Sequence, residues 1–202
     1  MGREARSIKK TSSYYEDHPV SQQLSERVIP ERIIYLTGEV NEHSIAQVIA
    51  GIVILANQDA HAPITLLVST YGGSVDEMFS LYDVIKHVSC PIHTVGLGKI
   101  MSAGVLILAC GKKGHRTIGK SARVMIHSVS AGCDGTIFKM KNELKEVERQ
   151  QELMEEMLLK ETKITRTKLN QIMKNGADYY LTAQEALKLG IVDTIIEPKE
   201  NK

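Results

Sequence analysis

The fold is decided by residues 91–111, PIHTVGLGKIMSAGVLILACG, where a short strand pattern runs directly into one of the most apolar segments of the chain. The first part, PIHTVGLG, is typical of a strand. The second part, MSAGVLILACG, is apolar on every face, as in a helix that is buried all round. Ser102 stands at the junction. A strand followed at once by a buried helix is a unit from which α/β proteins are built.

Further strand patterns lie on both sides of this stretch. Residues 31–38 and 122–128 are rich in apolar and β-branched side chains, and residues 191–197 predict a last strand. Residues 64–70, ITLLVST, form a continuous apolar run that is typical of a strand covered on both faces. Strands that alternate with helices predict βαβ crossovers and a mostly parallel sheet, so the predicted fold class is α/β.

Helix signals lie between these strands. A largely buried helix that begins near residue 41 is predicted to stop before Pro63. Ser74 and Glu77 have the spacing of a capping box, which predicts a second helix to about His87. Near the C-terminus a short helix is predicted around TRTKLNQIMKN. A second capping box and a C-terminal glycine predict another, marked by Thr182, Glu185 and Gly190.

The bulk properties exclude several classes of protein. A chain of 202 residues suits one large domain, and a net charge of +1 gives no electrostatic case for binding nucleic acid or an anionic membrane. No apolar run approaches the roughly 20 residues that span a bilayer, and no secretory signal is visible. The three cysteines are widely spaced, so we expect no disulfide framework and no metal site. A reducing compartment is expected, namely a cytoplasm, a host cytoplasm or an organelle stroma.

Residues 134–163 have a different character, because they are charged and helical in pattern. A helix of this length is roughly 40 Å long, and its apolar stripe is narrow and is interrupted by Gln151. Such a helix either projects from the domain, in which case its stripe needs a partner, or packs along its own domain. The stripe consists of Ile137, Met140, Leu144, Val147, Met154 and Leu158.

Ser102 has two interpretations. A serine before an apolar helix is usually an N-cap, because its side-chain oxygen accepts a hydrogen bond from an orphan N–H. The small residues Ala103 and Gly104 leave room for another backbone, and the helix N-terminus favours a developing oxyanion. At the carboxyl end of a strand, where α/β proteins usually build their sites, Ser102 is therefore also a candidate nucleophile.

His127 and Asp178 are the candidate partners of Ser102. A histidine on an apolar strand is more often a core residue, and an aspartate before a capped helix is more often a turn residue. If the strand of His127 neighbours the strand that leads to Ser102, the imidazole is able to accept the serine proton. Asp178 would then orient the imidazole and stabilise its charged form.

The glycine pair Gly72-Gly73 lies between a buried strand and a capped helix. Two glycines there either permit a positive φ or let a backbone N–H face a substrate carbonyl. In the second case the N–H groups of Gly73 and Ala103 would form an oxyanion hole. With Ser102, His127 and Asp178 these residues outline a site for acyl transfer.

Five motifs in order resemble the ClpP family, the proteolytic subunits of Clp proteases, over about residues 27–197. RIIYLTGEV resembles the opening strand of the family, STYGGSV resembles its SPGGSV loop, and GKIMSAGVLILACG resembles its GxAxSMGAxLLxAG block. SARVMIH is similar to the SRIMIHQP strand, and DYYLTAQEALKLGIVDTII is similar to the DxFxSAxEAxxYGLxDxV ending. The resemblance implies a ClpP/crotonase-like fold of repeated βαβ units with a projecting handle helix.

The resemblance also implies a function and a set of site residues. Ser102 falls on the nucleophile, His127 on the general base, Asp178 on the third triad member, and Gly73 and Ala103 on the oxyanion hole of a serine endopeptidase. Substrate would lie as an added strand, and the residues expected to bind it are Gly72, Ser130, Ala131 and Gly132. No cofactor is implied for the chemistry, since ATP would be used only by an AAA+ partner that unfolds polypeptides.

The resemblance also implies an organisation. Residues 28–197 form the peptidase domain, within which residues 128–163 are the handle that joins two seven-membered rings. Residues 1–27 are a flexible or axial arm, and residues 198–202 are a tail. Leu67 and His87 stand where the docking pocket for the ATPase usually has tyrosine and another aromatic residue, so a divergent pocket is expected.

Departures from the motifs surround the serine, and three other functions stay open. Tyr71 stands in place of proline, Ala103 in place of methionine, and Lys99-Ile100-Met101 in place of smaller residues. The alternatives are a non-catalytic ring subunit, an acyl-CoA enzyme of the crotonase kind, and a Ser–Lys peptidase that uses Lys99.

Overall fold

A seven-stranded sheet forms the centre of the described part of the chain, which in this computed structural model comprises residues 31–174 and 176–197. The strands are β1 (Ile33–Val40), β2 (Ile64–Gly73), β3 (Ile92–Met101), β4 (Arg116–Gly119), β5 (Arg123–Ile126), β6 (Tyr179–Leu181) and β7 (Thr194–Ile196). The helices are α1 (Glu42–Gln58), α2 (Val75–His87), α3 (Ala103–Ala109), α4 (Ile137–Glu161), α5 (Arg166–Met173) and α6 (Ala183–Lys188).

The sheet is parallel along its main path, in the order β1-β2-β3-β4-β7. The predicted α/β class with βαβ crossovers is therefore confirmed. Among the described strands the only antiparallel pair is β5 with β6. Strands β4 and β6 were not predicted. They are four and three residues long, which is too short to show a period of two.

Strand β3 divides the sheet into two branches. Residues Thr94 to Gly96 pair with β4, whereas residues Lys99 to Met101 pair with β5. Between these segments lies Gly98, whose φ of 66° belongs to the left-handed region that glycine adopts most readily. Strand β3 continues past the fork beside β5, so Ser102, the next residue after β3, lies at the end of the branch that contains β5.

The core lies on one face of the sheet. In β2, Ile64, Leu66, Val68 and Thr70 are buried, and the intervening residues are only half-buried. The prediction that residues 64–70 are covered on both faces was therefore wrong for the single chain, because the helices cover one face fully. All seven residues of α3 are buried, as its uniformly apolar sequence predicts. Among the described residues no helix is both long and apolar enough to cross a membrane.

Helix α4 begins at Ile137 with Thr136 as its N-cap, three residues after the predicted start, and ends two residues before the predicted end. Its 25 residues give a length of about 37 Å. The C-terminal part packs on the domain through Met154 and Leu158, which are buried. The N-terminal part is exposed. The helix therefore packs along its own domain in its C-terminal half and projects from the domain in its N-terminal half. The exposed apolar residues there are Ile137, Phe138, Met140 and Leu144.

Polar groups of α2 and of the sheet hold the C-terminal end of α4. The Glu161 carboxylate lies 2.9 Å from the Lys86 ammonium and accepts a hydrogen bond of 2.8 Å from the Tyr82 hydroxyl. The guanidinium of Arg116, on β4, donates to the Glu161 carbonyl oxygen at 2.7 Å and is paired with Asp193. These contacts fix where α4 leaves the domain. The predictions made for residues 1–27 and 198–202 lie outside the described residues.

Candidate active site

Ser102 occupies the N-cap position of α3 but does not act as a cap. Its side chain makes no capping hydrogen bond, and its backbone has φ 54° and ψ −123°. In the described chain only Arg32 shares a positive φ among residues other than glycine. Such a conformation costs on the order of 1–3 kcal/mol and persists where surrounding contacts enforce it. The Ser102 N–H donates to the Met125 carbonyl oxygen at 2.9 Å, which holds this turn against β5.

Glycines allow the backbone of β2 to approach this turn. A Cβ on Gly72 would lie 2.6 Å from the Cβ of Ser102 and 2.9 Å from the Met101 carbonyl oxygen. A Cβ on Gly104 would lie 2.5 Å from a methyl carbon of Thr70. All three distances are shorter than real side chains tolerate. The glycines therefore permit the contact that brings the predicted oxyanion-hole segment beside Ser102.

His127 lies directly after β5, at the same edge of the sheet as Ser102. Met101 pairs with Met125, so the residues that follow β3 and β5 lie next to each other. The Nε2 atom of His127 is 2.8 Å from the Ser102 Oγ, which is hydrogen-bond distance. The side chain is 25 % exposed, so the interpretation of His127 as a core residue was wrong.

Asp178 is brought to the histidine by β6. Strand β6 is antiparallel to β5 with Ile126 opposite Tyr179, and one further step in this register sets His127 opposite Asp178. The Oδ1 of Asp178 lies 3.5 Å from the His127 Nδ1, which is beyond hydrogen-bond length, and the two groups form an ion pair only when the imidazole is protonated. Its Oδ2 accepts a hydrogen bond of 3.3 Å from the Tyr180 hydroxyl.

The three side chains follow one another in space in the order serine, histidine, aspartate, with a contact of 2.8 Å and then one of 3.5 Å. A neutral histidine that keeps its proton on Nδ1 faces Asp178 with a donor and faces the Ser102 hydroxyl with the Nε2 lone pair. In that tautomer the imidazole is able to accept the serine proton, and the carboxylate then faces a positive charge. Sequence reasoning named all three residues but did not identify β6, which positions the third.

Of the two predicted oxyanion-hole residues, one follows the serine directly and the other lies at the end of β2. Ala103 is the first residue of α3, so its N–H has no partner within the helix. Gly73 ends β2, one residue after the contact between Gly72 and Ser102. The N–H of Gly72 donates to the Thr70 hydroxyl oxygen at 2.9 Å. Any contact of Gly72 with substrate would therefore use its carbonyl oxygen, and sequence reasoning did not identify the part played by Thr70.

The segment after His127 contains the other predicted substrate-binding residues. Ser130, Ala131 and Gly132 are exposed and lie outside helices and strands. A cavity of about 260 Å³ separates Ala131 and Gly132 from Leu144 and other residues of α4. Just before them, the Val129 N–H donates to the Gln151 side-chain oxygen at 2.7 Å. An exposed main chain beside a cavity leaves room for the added peptide strand that is expected here.

The Lys99 ammonium lies over the Tyr71 ring, whereas a Ser–Lys peptidase would need it beside the Ser102 hydroxyl. The ammonium lies 4.9 Å from the centre of the Tyr71 ring, a cation–π contact between two of the residues that depart from the family motifs. The partner at hydrogen-bond distance from the Ser102 hydroxyl is His127. The geometry thus favours histidine over lysine as the base. Of the two docking-pocket residues, Leu67 is half-buried in β2 and His87 is exposed at the end of α2.

The forked, mostly parallel sheet, which sets Ser102 after β3 beside His127 after β5, belongs to an α/β protein of the ClpP-like fold. The family model described as Clp protease matches residues 16–199, and the chain belongs to this family. A relative from Borreliella afzelii (strain PKo) is 31 % identical over 170 residues, which are 84 % of this chain and 85 % of the relative. One from Borrelia garinii subsp. bavariensis is also 31 % identical over 170 residues, 84 % of this chain and 87 % of the relative. Both are named ATP-dependent Clp protease proteolytic subunit.

Proposed function

We propose that this protein is a serine endopeptidase that cleaves unfolded polypeptides within a ring assembly. The observation that carries the proposal is the 2.8 Å contact between the Ser102 hydroxyl and the His127 Nε2, made by a serine that does not cap its helix. The names of the relatives support peptide-bond hydrolysis as the reaction. Family membership supports the same reaction class.

In the proposed mechanism Ser102 is the nucleophile. Its Oγ attacks the carbonyl carbon of the scissile peptide bond while the His127 Nε2 takes the hydroxyl proton. The N–H groups of Gly73 and Ala103 stabilise the negative charge that develops on the carbonyl oxygen. Protonated His127 then donates its proton to the departing amine. Water, activated by the same histidine, releases the acyl group from Ser102.

Asp178 has an electrostatic role in this mechanism. Its carboxylate lies 3.5 Å from the Nδ1 of His127 and favours the tautomer in which Nε2 is free to accept a proton. Catalytic hydrogen bonds are often long in free enzymes and shorten when substrate binds. The carboxylate attracts the imidazolium most strongly in the transition state, when the histidine is charged.

Active-site labelling tests the proposed chemistry. We expect a fluorophosphonate to add one adduct per chain, located on Ser102, and the protein to cleave short fluorogenic peptides. Intact-mass measurement followed by mapping of the modified peptide checks this expectation. A well-assembled protein that neither reacts nor cleaves would instead be the non-catalytic ring subunit, and the proposal would be wrong.

We further propose that α4 joins two seven-membered rings and that an ATPase partner supplies unfolded substrate. Support comes from the uncovered apolar residues Ile137, Phe138 and Leu144 and from the words "ATP-dependent" in the names of the relatives. Removing such side chains from water favours association by about 25 cal/mol per Å² of buried apolar surface.

Light scattering coupled to chromatography tests the assembly. We expect the wild type to elute as fourteen copies of the 22.4 kDa chain. The double substitution Ile137→Asp and Phe138→Asp introduces charges into the apolar face and should reduce the particle to half that mass. Lys141→Asp, at an exposed position of the same helix, is the matched control and should leave the mass unchanged. A wild type that is monomeric at micromolar concentration would contradict the role given to α4.

A further inference from the structure

Gln151 interrupts the apolar stripe of α4 and makes two hydrogen bonds there. Its Oε1 accepts the N–H of Val129 at 2.7 Å, and its Nε2 donates to the Oε1 of Glu155 at 2.7 Å. A backbone N–H is only a donor and an ionised carboxylate only an acceptor. One orientation of the amide satisfies both, so the side chain is held at both ends.

The same contacts continue beyond α4. The second carboxylate oxygen of Glu155 accepts a hydrogen bond of 2.7 Å from the guanidinium of Arg166, and the Glu155 side chain is 18 % exposed. Arg166 is the first residue of α5, the helix that precedes the segment carrying Asp178. A continuous series of polar contacts thus runs from α5 through α4 to the main chain at Val129.

Val129 lies between the proposed general base and the proposed substrate-binding segment. It follows His127 by two residues and precedes Ser130. The family motif SRIMIHQP has proline where this chain has Val129. Proline fixes its own φ and has no N–H, so it is unable to make this hydrogen bond. In this chain the Val129 N–H is present and donates a hydrogen bond to Gln151. This bond restrains the segment where a proline ring would otherwise do so.

We propose that Gln151 is a positioning residue that, through the Val129 N–H, restrains the main chain of residues 129–132 for pairing with a substrate strand. This inference rests on the proposed peptidase function. Pairing through the main chain needs N–H and C=O groups at fixed spacing along an extended segment. A segment that is free to rotate must be ordered at each binding event, and that ordering weakens binding. Gln151 therefore acts on substrate affinity and not on the chemical step.

Gln151→Met tests the proposal, since methionine has a similar length and no amide. We expect KM for a peptide of eight or more residues to rise about five- to tenfold, the range of one partly buried hydrogen bond. We expect kcat, its pH profile and the rate of fluorophosphonate labelling to change less than about twofold. Gln171→Met, an exposed position on α5, is the matched control and should leave both constants unchanged.

Val129→Pro shows whether the hydrogen bond to Val129 is the cause. Because proline has no N–H, we expect Gln151→Met to cause no further rise in KM when it is added to Val129→Pro. A rise that persists in this background would overturn the proposal. So would a Gln151→Met protein in which kcat falls while KM is unchanged, because that pattern belongs to the chemical step. The melting temperature of each variant verifies that it is folded.

Direct binding separates this inference from the proposed function. The dissociation constant of a fluorescent peptide is measured on Ser102→Ala and on Ser102→Ala with Gln151→Met, in the absence of turnover. A five- to tenfold weaker Kd supports the role of Gln151 even if the wild type proves inactive, whereas equal Kd values overturn that role. An unlabelled, inactive wild type overturns only the proposed chemistry.

Discussion

Ser102→Ala is expected to lower the rate of peptide hydrolysis by roughly 10³- to 10⁶-fold, the range found when the nucleophile of a triad is removed. The melting temperature should not fall, because the Ser102 side chain caps no helix and its hydroxyl contacts the His127 side chain. Cleavage of a fluorogenic peptide at substrate concentrations well below KM measures the loss as kcat/KM. Residual activity above a tenth of the wild type would contradict the role of Ser102.

His127→Ala is expected to cause a loss of similar size, and the two losses should not add. Serine and histidine act as one unit in the proposed mechanism. The kcat/KM of the double variant should therefore lie no more than about threefold below that of the slower single variant. Multiplicative losses would show that the two side chains act independently, which would contradict the proton transfer between them.

Ser44→Ala is the matched control, because Ser44 takes part in a capping box. Its Oγ accepts the Asn41 N–H at 3.1 Å, and its own N–H donates to the Asn41 side chain at 3.0 Å. Loss of this hydroxyl, at the third position of the helix, should cost about 0.5–1.5 kcal/mol of stability and leave kcat/KM unchanged. The two substitutions therefore separate a serine that stabilises a helix from a serine that performs chemistry.

Asp193→Ala is expected to lower the free energy of unfolding by about 3–5 kcal/mol, because it leaves a buried guanidinium without its partner. The Arg116 side chain is 4 % exposed, and its two hydrogen bonds to Asp193 measure 2.6 and 2.9 Å. The same guanidinium binds the carbonyl oxygens of Ala109 and Glu161. Urea denaturation at a fixed protein concentration measures the change.

Acid should remove the contribution of the Arg116–Asp193 ion pair to the free energy of unfolding. The hydrogen bonds from the Arg116 side chain lower the pKa of Asp193 from its usual 3.8 to about 2. Because the folded-state pKa lies below the unfolded-state pKa, the contribution is complete above about pH 4 and is lost as the pH falls toward 2. The difference in unfolding free energy between wild type and Asp193→Asn should shrink over that interval.

An exposed ion pair provides the comparison for Asp193. Lys120 and Glu197 lie 3.1 Å apart, with side chains that are 56 % and 64 % exposed. Glu197→Gln should change the unfolding free energy by less than about 1 kcal/mol at any pH, because water and salt screen such pairs. An effect of Asp193→Ala as small as this would show that Arg116 finds other partners or water.

Features with a local cause could be predicted from the sequence. The capping box at Thr182 and Glu185 forms as predicted, since both partners lie within one turn of the same helix. Gly190 follows α6 with a φ of 66°, the conformation in which glycine usually ends a helix. The apolar segment after Ser102 forms a buried helix because no face of it is polar.

The packing of helix α4 could be predicted from the sequence only in part. Its apolar stripe predicted that some surface would be covered, and the buried residues Met154 and Leu158 agree with that prediction. Which half is covered within the chain depends on where Glu161 and Arg116 fasten the helix to the sheet. The sequence showed Gln151 only as a break in the stripe, because its partner Val129 lies 22 positions away.

The sequence alone determined the α/β class and named Ser102, His127 and Asp178 as candidates, because periodicity and motif spacing are properties of short segments. Only the tertiary structure decided that they meet. Pairing of β3 with β5 sets the serine beside the histidine, and pairing of β5 with the three-residue β6 sets Asp178 opposite it. The same packing ties the Ser102 N–H to Met125 and holds the residue at positive φ, so its hydroxyl faces His127 and not a helix N–H. Strand pairing between segments far apart in the chain has no local signature. For this reason the three residues could be identified from the sequence, whereas their proximity is a property of the folded sheet.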